Sequence, residues 1–138
     1  MRLRLLRLAL VLAGLGWAIA IVGVFLPWPA AVAVLKGLGA TEIANDPMLQ
    51  YWFRMTAGGF TLIGVFYLVL AARPGAWPGA LPVAGGLMLF EGIVLLVHGL
   101  LLGLASFPFW ADVAFCFATG LAILLLRSSA DTLQRDRA

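Results

Sequence analysis

The sequence predicts an all-α fold: an integral membrane bundle of four transmembrane helices, with a short interfacial segment in the first outer loop. Three observations carry that prediction. Hydrophobic residues make up 64% of the chain and charged residues 11%, against roughly a quarter charged in an average soluble domain. Four apolar runs, at about 5–26, 52–72, 80–102 and 109–126, reach the length that crosses a hydrocarbon core, about 20 residues. None of them alternates apolar with polar residues as a membrane β-barrel strand does. A run in lipid must satisfy its own backbone, so each is read as a helix. The length of 138 residues is that of one domain, spanning 1–138.

The first run opens on the basic stretch MRLRLLR, and AIA at 18–20 imitates a signal-peptide cleavage site. Apolar sequence continues through that site to Leu26, and the chain starts at Met1, so an uncleaved first membrane helix is expected. The connection at 27–51 is the longest. Its piece PAAVAVLKGLG is too short to span and is expected to lie in the interface or dip shallowly into it. NDP then starts the second helix, with Asp46 as N-cap and Pro47 at the first helical position. RPGAWPG makes a tight turn before the third run and ASFP a short turn before the fourth; Pro78 and Pro108 can open those helices in the same way. The last ten residues form a short polar tail, expected to fray.

Basic residues set the orientation. Arg2, Arg4, Arg7, Arg73, Arg127, Arg135 and Arg137 share one side if both termini are cytoplasmic, leaving only Lys36 and Arg54 on the other. The expected location is a bacterial inner (cell) membrane. The net charge of +3 is thus a topology signal rather than a nucleic-acid patch. Trp28, Trp52 and Trp110 fall at the outer boundary and Trp77 at the inner one, an aromatic belt, while Trp17 sits near mid-membrane. Gly14, Gly16, Gly58, Gly59, Gly85 and Gly86 lie inside helices, where small residues let helices approach closely. Such faces also allow a homodimer or a larger membrane complex. The one cysteine, Cys116, cannot form an internal disulfide and reads as a small core residue.

The scarce polar residues of the spans form a pattern. Glu91 and His98, the only histidine, are seven residues apart, which is about 700° of helical rotation and a rise of about 10.5 Å. They share a face. The same spacing recurs as Arg54/Thr61 on the second helix and Asp112/Thr119 on the fourth. Because the third helix runs against the other two, Arg54, His98 and Asp112 form an outer tier, and Thr61, Glu91 and Thr119 a middle tier. Facing lipid, an acid or base at the helix centre costs roughly 2.5–3.5 kcal/mol. The expectation is therefore one polar seam between the second, third and fourth helices, opening outward, with Tyr51 and Trp52 at its mouth.

Each residue has a structural alternative. Arg54 can snorkel or pair with Asp112, Asp112 can complement its helix dipole, and His98 can bond between helices. Thr61 and Thr119 can bond back to their own helices. Glu91 has no such excuse, since mid-membrane acids mark pathways or sites.

Several chemistries are excluded or weakened. One histidine cannot provide bis-histidine haem ligation, and there is no CxxC for thiol–disulfide exchange. No HExxH, GxSxG or P-loop occurs. Glu91 and His98 lie too far apart along one helix to hold one metal ion well. Three function classes remain. One is binding or transformation of a lipophilic small molecule such as a quinone, isoprenoid or lipid. There Glu91 would be the acid, His98 its proton partner and Arg54 an anchor for an anionic or carbonyl group, with Asp112, Thr61, Thr119, Tyr51 and Trp52 as further ligand contacts. The second is proton-coupled transport. The third is a non-catalytic subunit or assembly partner.

NDPMLQYWFRMTAGGF, YLVLAARPG and FWADVAFCFATGLAIL, taken in order, resemble small bacterial four-helix proteins of the DoxX-like sort. The resemblance covers most of the chain and implies a four-helix membrane protein and, for some members, work with quinones in membrane redox chemistry. The chain is also similar to the emopamil-binding sterol isomerase class, which buries acids and histidines near aromatic rings. That similarity gives Glu91, His98 and Trp17 or Trp52 comparable parts.

Overall fold

The apolar runs become helices at nearly the expected places, and the deviations have local causes. The structure is a computed structural model and describes residues 1–104 and 106–130. The polar tail with Arg135 and Arg137, and Ala105 of the ASFP turn, lie outside the described residues. The chain folds as α1 (Arg2–Ala18), α2 (Ile21–Phe25), α3 (Trp28–Gly37), α4 (Pro47–Ala72), α5 (Ala80–Leu101) and α6 (Ser106–Leu126), with no strand among the described residues. Among the described residues, four segments are long and apolar enough to cross a membrane: Arg2–Phe25, Pro47–Ala72, Ala80–Leu101 and Phe107–Leu126. The protein is an all-α, multi-pass membrane bundle.

The first span is two helices rather than one. Between α1 and α2 the backbone changes from i−4 to i−3 bonding, with Ala20 N–H to Trp17 O at 3.2 Å and Gly23 N–H to Ala20 O at 2.8 Å. That tightened turn redirects α2 onto α4. The expected interfacial segment is the ten-residue α3, followed after its C-cap Leu38 by Gly39 with φ +106. Ala40 N–H bonds to Leu35 O and Gly39 N–H to Lys36 O, the paired bonds that satisfy the last carbonyls of a helix when a glycine follows in the left-handed region. α4 begins earlier than hydropathy alone indicates. Asp46 accepts from Met48 N–H at 2.7 Å and Pro47 occupies the first turn, so the polar residues before Trp52 join the helix. Regular α6 geometry starts after Phe107, which is extended at φ −116, ψ 137, leaving Pro108 at the first helical position as expected. α5 starts later, with Gly79 as N-cap and Pro78 in the turn before it.

Packing is unequal. α1 lies against both α4 and α6, and α5 runs along α6. α4 and α5 do not pack along their length; a single hydrogen bond, Tyr67 O–H to Ala84 O at 2.8 Å, bridges them. The α1–α4 crossing is held at backbone distance: a Cβ on Gly64 would stand 2.6 Å from Gly14 O and 2.7 Å from Ala18 Cα. On α5, Gly85, Gly92 and Gly99 all meet α6, at Leu124, Cys116 and Phe109. The glycine expectation holds in part. Gly58, Gly59 and Gly86 have nothing within 4 Å and support no close approach inside this chain.

The core sits toward the end of the bundle that carries residue 1. Leu6, Leu10, Leu70, Leu81 and Ile123 are fully enclosed there, together with Ala130 just beyond α6. The opposite end, capped by α3, is more open.

Candidate functional site

α5 positions the residues of interest. Residues 87, 91, 94 and 98 step by four, three and four along it, which keeps them on one face of an α-helix. That face lines two cavities placed end to end. The nearest lining residues on α5 are Glu91 and Val94, three residues or about 4.5 Å of rise apart.

The first cavity, of about 250 Å³, lies at mid-span where α4 and α5 part. α1 contributes Trp17, α4 contributes Phe60, Ile63, Phe66 and Tyr67, and α5 contributes Leu87, Met88, Phe90 and Glu91. Its walls are therefore aromatic and aliphatic, with one carboxyl. Trp17 donates its indole N–H to Met88 Sδ at 3.4 Å and tilts against Phe60, the rings 4.9 Å apart. Tyr67 is 3% exposed and its hydroxyl is engaged with Ala84. Glu91 is half-buried and has no hydrogen bond or ion pair among the described residues. Phe90 and Leu87, 62% and 58% exposed, stand at the rim, so the cavity opens sideways into the lipid-facing surface.

The second cavity, of about 650 Å³, lies nearer the α3 end. His98 of α5 and Asp112 of α6 both line it, between Leu95, Phe109 and the Leu35–Ala40 end of α3. Here α3 and the turn after it stand opposite α5 and α6.

The single seam expected from spacing is thus not what forms. His98 and Asp112 line one cavity, while Glu91 lines a different space. Arg54 joins neither: its Nη1 donates to Val24 O at the end of α2, satisfying a carbonyl that the short helix leaves without a partner. Thr61 donates to Ala57 O at 2.7 Å and the buried Thr119 to Phe115 O at 2.6 Å, each bonded back to its own helix. Tyr51 and Trp52 are exposed and pack edge to face, rings 6.2 Å apart, at the start of α4 and outside both cavities. Spacing of polar residues overlooks most of the mid-span lining, Tyr67 and Met88 among it. Their signal was present: Phe60, Ile63 and Tyr67 recur at three and four residues on α4, as Ala84, Met88 and Glu91 do on α5.

Among the described residues, no three His, Cys, Asp or Glu side chains gather in a geometry that could hold a metal ion. The chemistry on offer at mid-span is one carboxyl among rings, and at the α3 end an imidazole and a carboxyl sharing a wider space. No family model, curated protein or solved structure matches the chain.

Proposed function

We propose that this is an inner-membrane protein that binds a lipophilic small molecule in the cleft between α4 and α5, with both termini cytoplasmic. The observation that carries the reading is Glu91: a carboxyl at mid-span with no hydrogen bond or ion pair among the described residues, in a cavity walled by rings and open at its rim. An acid left there without a partner costs stability, and a bound ligand is the economical reason to keep it. Pockets of this kind, apolar with few polar groups, suit small apolar ligands. Binding is favoured over turnover because Glu91 and His98 line separate cavities and so do not form an acid–base pair around one substrate. The cytoplasmic placement of the termini rests on Arg2, Arg4, Arg7, Arg73 and Arg127 lying toward one end of the bundle.

The test is extraction of lipids and cofactors from the purified protein, followed by mass spectrometry. Wild type should carry a lipophile that Ile63→Trp, which fills the cavity, releases. Equal recovery from both proteins, or no enriched molecule in either, would remove the reading.

A second reading, proton-coupled transport of the same ligand, draws support from the end-to-end placement of the two cavities on one face of α5. Ligand accumulation driven by a pH gradient in proteoliposomes would establish it. Binding without accumulation would leave the first reading alone.

A further inference from the structure

We infer that the ligand of the mid-span cavity is a lipophilic cation with a compact charged head. The inference rests on the proposed binding role of the cleft and specifies its ligand class. It follows from the polar groups lining that space. The Trp17 N–H is engaged with Met88 Sδ, and the Tyr67 hydroxyl with Ala84 O. Among the described residues, no lysine, arginine or histidine lines the cavity. The one polar side chain left for a ligand is Glu91.

An anion would meet the cavity's one acidic side chain and, among the described residues, no side-chain cation. A neutral molecule would find a single hydrogen-bonding partner. A cation gains twice: it neutralises the carboxylate, and it lies among the rings of Trp17, Phe60, Phe66, Tyr67 and Phe90, contributed by all three helices. The negative face of an aromatic ring attracts ammonium groups, more strongly where water is excluded. Size sharpens the class. About 250 Å³ is small beside ordinary ligand pockets, which run from about 300 to 1,000 Å³. The cavity holds a head such as trimethylammonium, while the exposed rim at Leu87 and Phe90 lets an alkyl tail pass between α4 and α5 into the acyl chains. The cavity with His98 and Asp112 differs, because its imidazole can be a donor and, among the described residues, only Phe107 and Phe109 bring phenyl rings to its lining.

The test uses the full chain in nanodiscs of zwitterionic lipid, with radiolabelled hexadecyltrimethylammonium as probe and empty nanodiscs as the partition control. Wild type should retain saturable label above the control. Unlabelled hexadecyltrimethylammonium should displace it, and hexadecanol and hexadecyl sulfate should compete at least about tenfold less well. Glu91→Gln should weaken retention about tenfold with helix content unchanged, and Phe60→Leu should weaken it severalfold. Equal competition by all three amphiphiles, with both variants binding like wild type, would overturn the cation assignment while leaving a lipophile-binding cleft. No saturable binding of any of the three, together with no lipophile recovered from the native protein, would overturn the cleft itself.

Discussion

Two faces of α5 carry the same seven-residue period and do opposite things. One presents Gly85, Gly92 and Gly99 to α6 and packs tightly along it. The other presents Leu87, Glu91, Val94 and His98 to open space. The faces are adjacent. Glu91 immediately precedes Gly92, and His98 precedes Gly99, so each polar side chain is turned about 100° from a seam glycine. That difference in packing is why these polar groups find no partner on a neighbouring helix among the described residues. The glycines draw α5 against α6, and no matching small residues draw it against α4. The gap that remains is where Glu91 finds itself.

The sharpest test of the seam face uses neighbouring glycines. Gly85→Leu should lose about 3 kcal/mol, the upper part of the overpacking range, because a Cβ there already stands 2.7 Å from Leu124 Cγ and 3.2 Å from Gly120 O. Gly86→Leu, with nothing within 4 Å, should stay within about 0.5 kcal/mol. Unfolding in mixed micelles, titrated with SDS, measures both. Equal losses would mean that the seam is not where α5 is held.

The cleft face should respond with the opposite sign. Glu91→Leu removes an unpartnered acid from mid-span and should raise unfolding free energy by about 1–2 kcal/mol, while abolishing retention of the ligand probe. A destabilised Glu91→Leu would show that the carboxyl has a structural partner and that the two faces are less distinct than they look.

Arg54→Met should cost about 1–2 kcal/mol, because a charged donor to the Val24 carbonyl is lost, with probe binding unchanged within about twofold. A large drop in binding would return Arg54 to the ligand site. Tyr67→Phe frees Ala84 O across the α4–α5 gap and should cost about 0.6–1 kcal/mol. Thr61→Val and Thr119→Val should be the smallest changes, under about 0.5 kcal/mol, since each hydroxyl bonds only within its own helix.

The spans were legible because their signal is local. Length and hydropathy of a segment do not depend on its neighbours, and the capping residues Asp46 and Pro47 act within a few residues of themselves. The candidate site was legible only one helix at a time. Spacing placed Glu91 and His98 on a shared face, and the structure keeps them there. Spacing also placed Arg54 and Asp112 at a common depth, and they do not line a common cavity. Depth gives the position of a residue along the membrane normal, not which helix stands opposite. The break between α1 and α2 was hidden for a related reason. IAIVGVF is as apolar as its surroundings, and the change to i−3 bonding carries no mark in hydropathy. The carbonyl that Arg54 satisfies exists only because α2 ends there.

Sequence alone is enough for a membrane-embedded helical bundle, the number of its spans, the residues that open the second and fourth, and the presence of a short non-spanning segment between the first two. Each of these follows from backbone hydrogen bonding in a solvent without donors or acceptors, which acts on every segment separately. Tertiary structure alone decided that α4 and α5 stand apart, that Glu91 faces rings from three helices, and that α3 sets His98 and Asp112 in a second space. Those outcomes depend on which small residues meet across a helix pair, and that is a property of two segments together, invisible in either one.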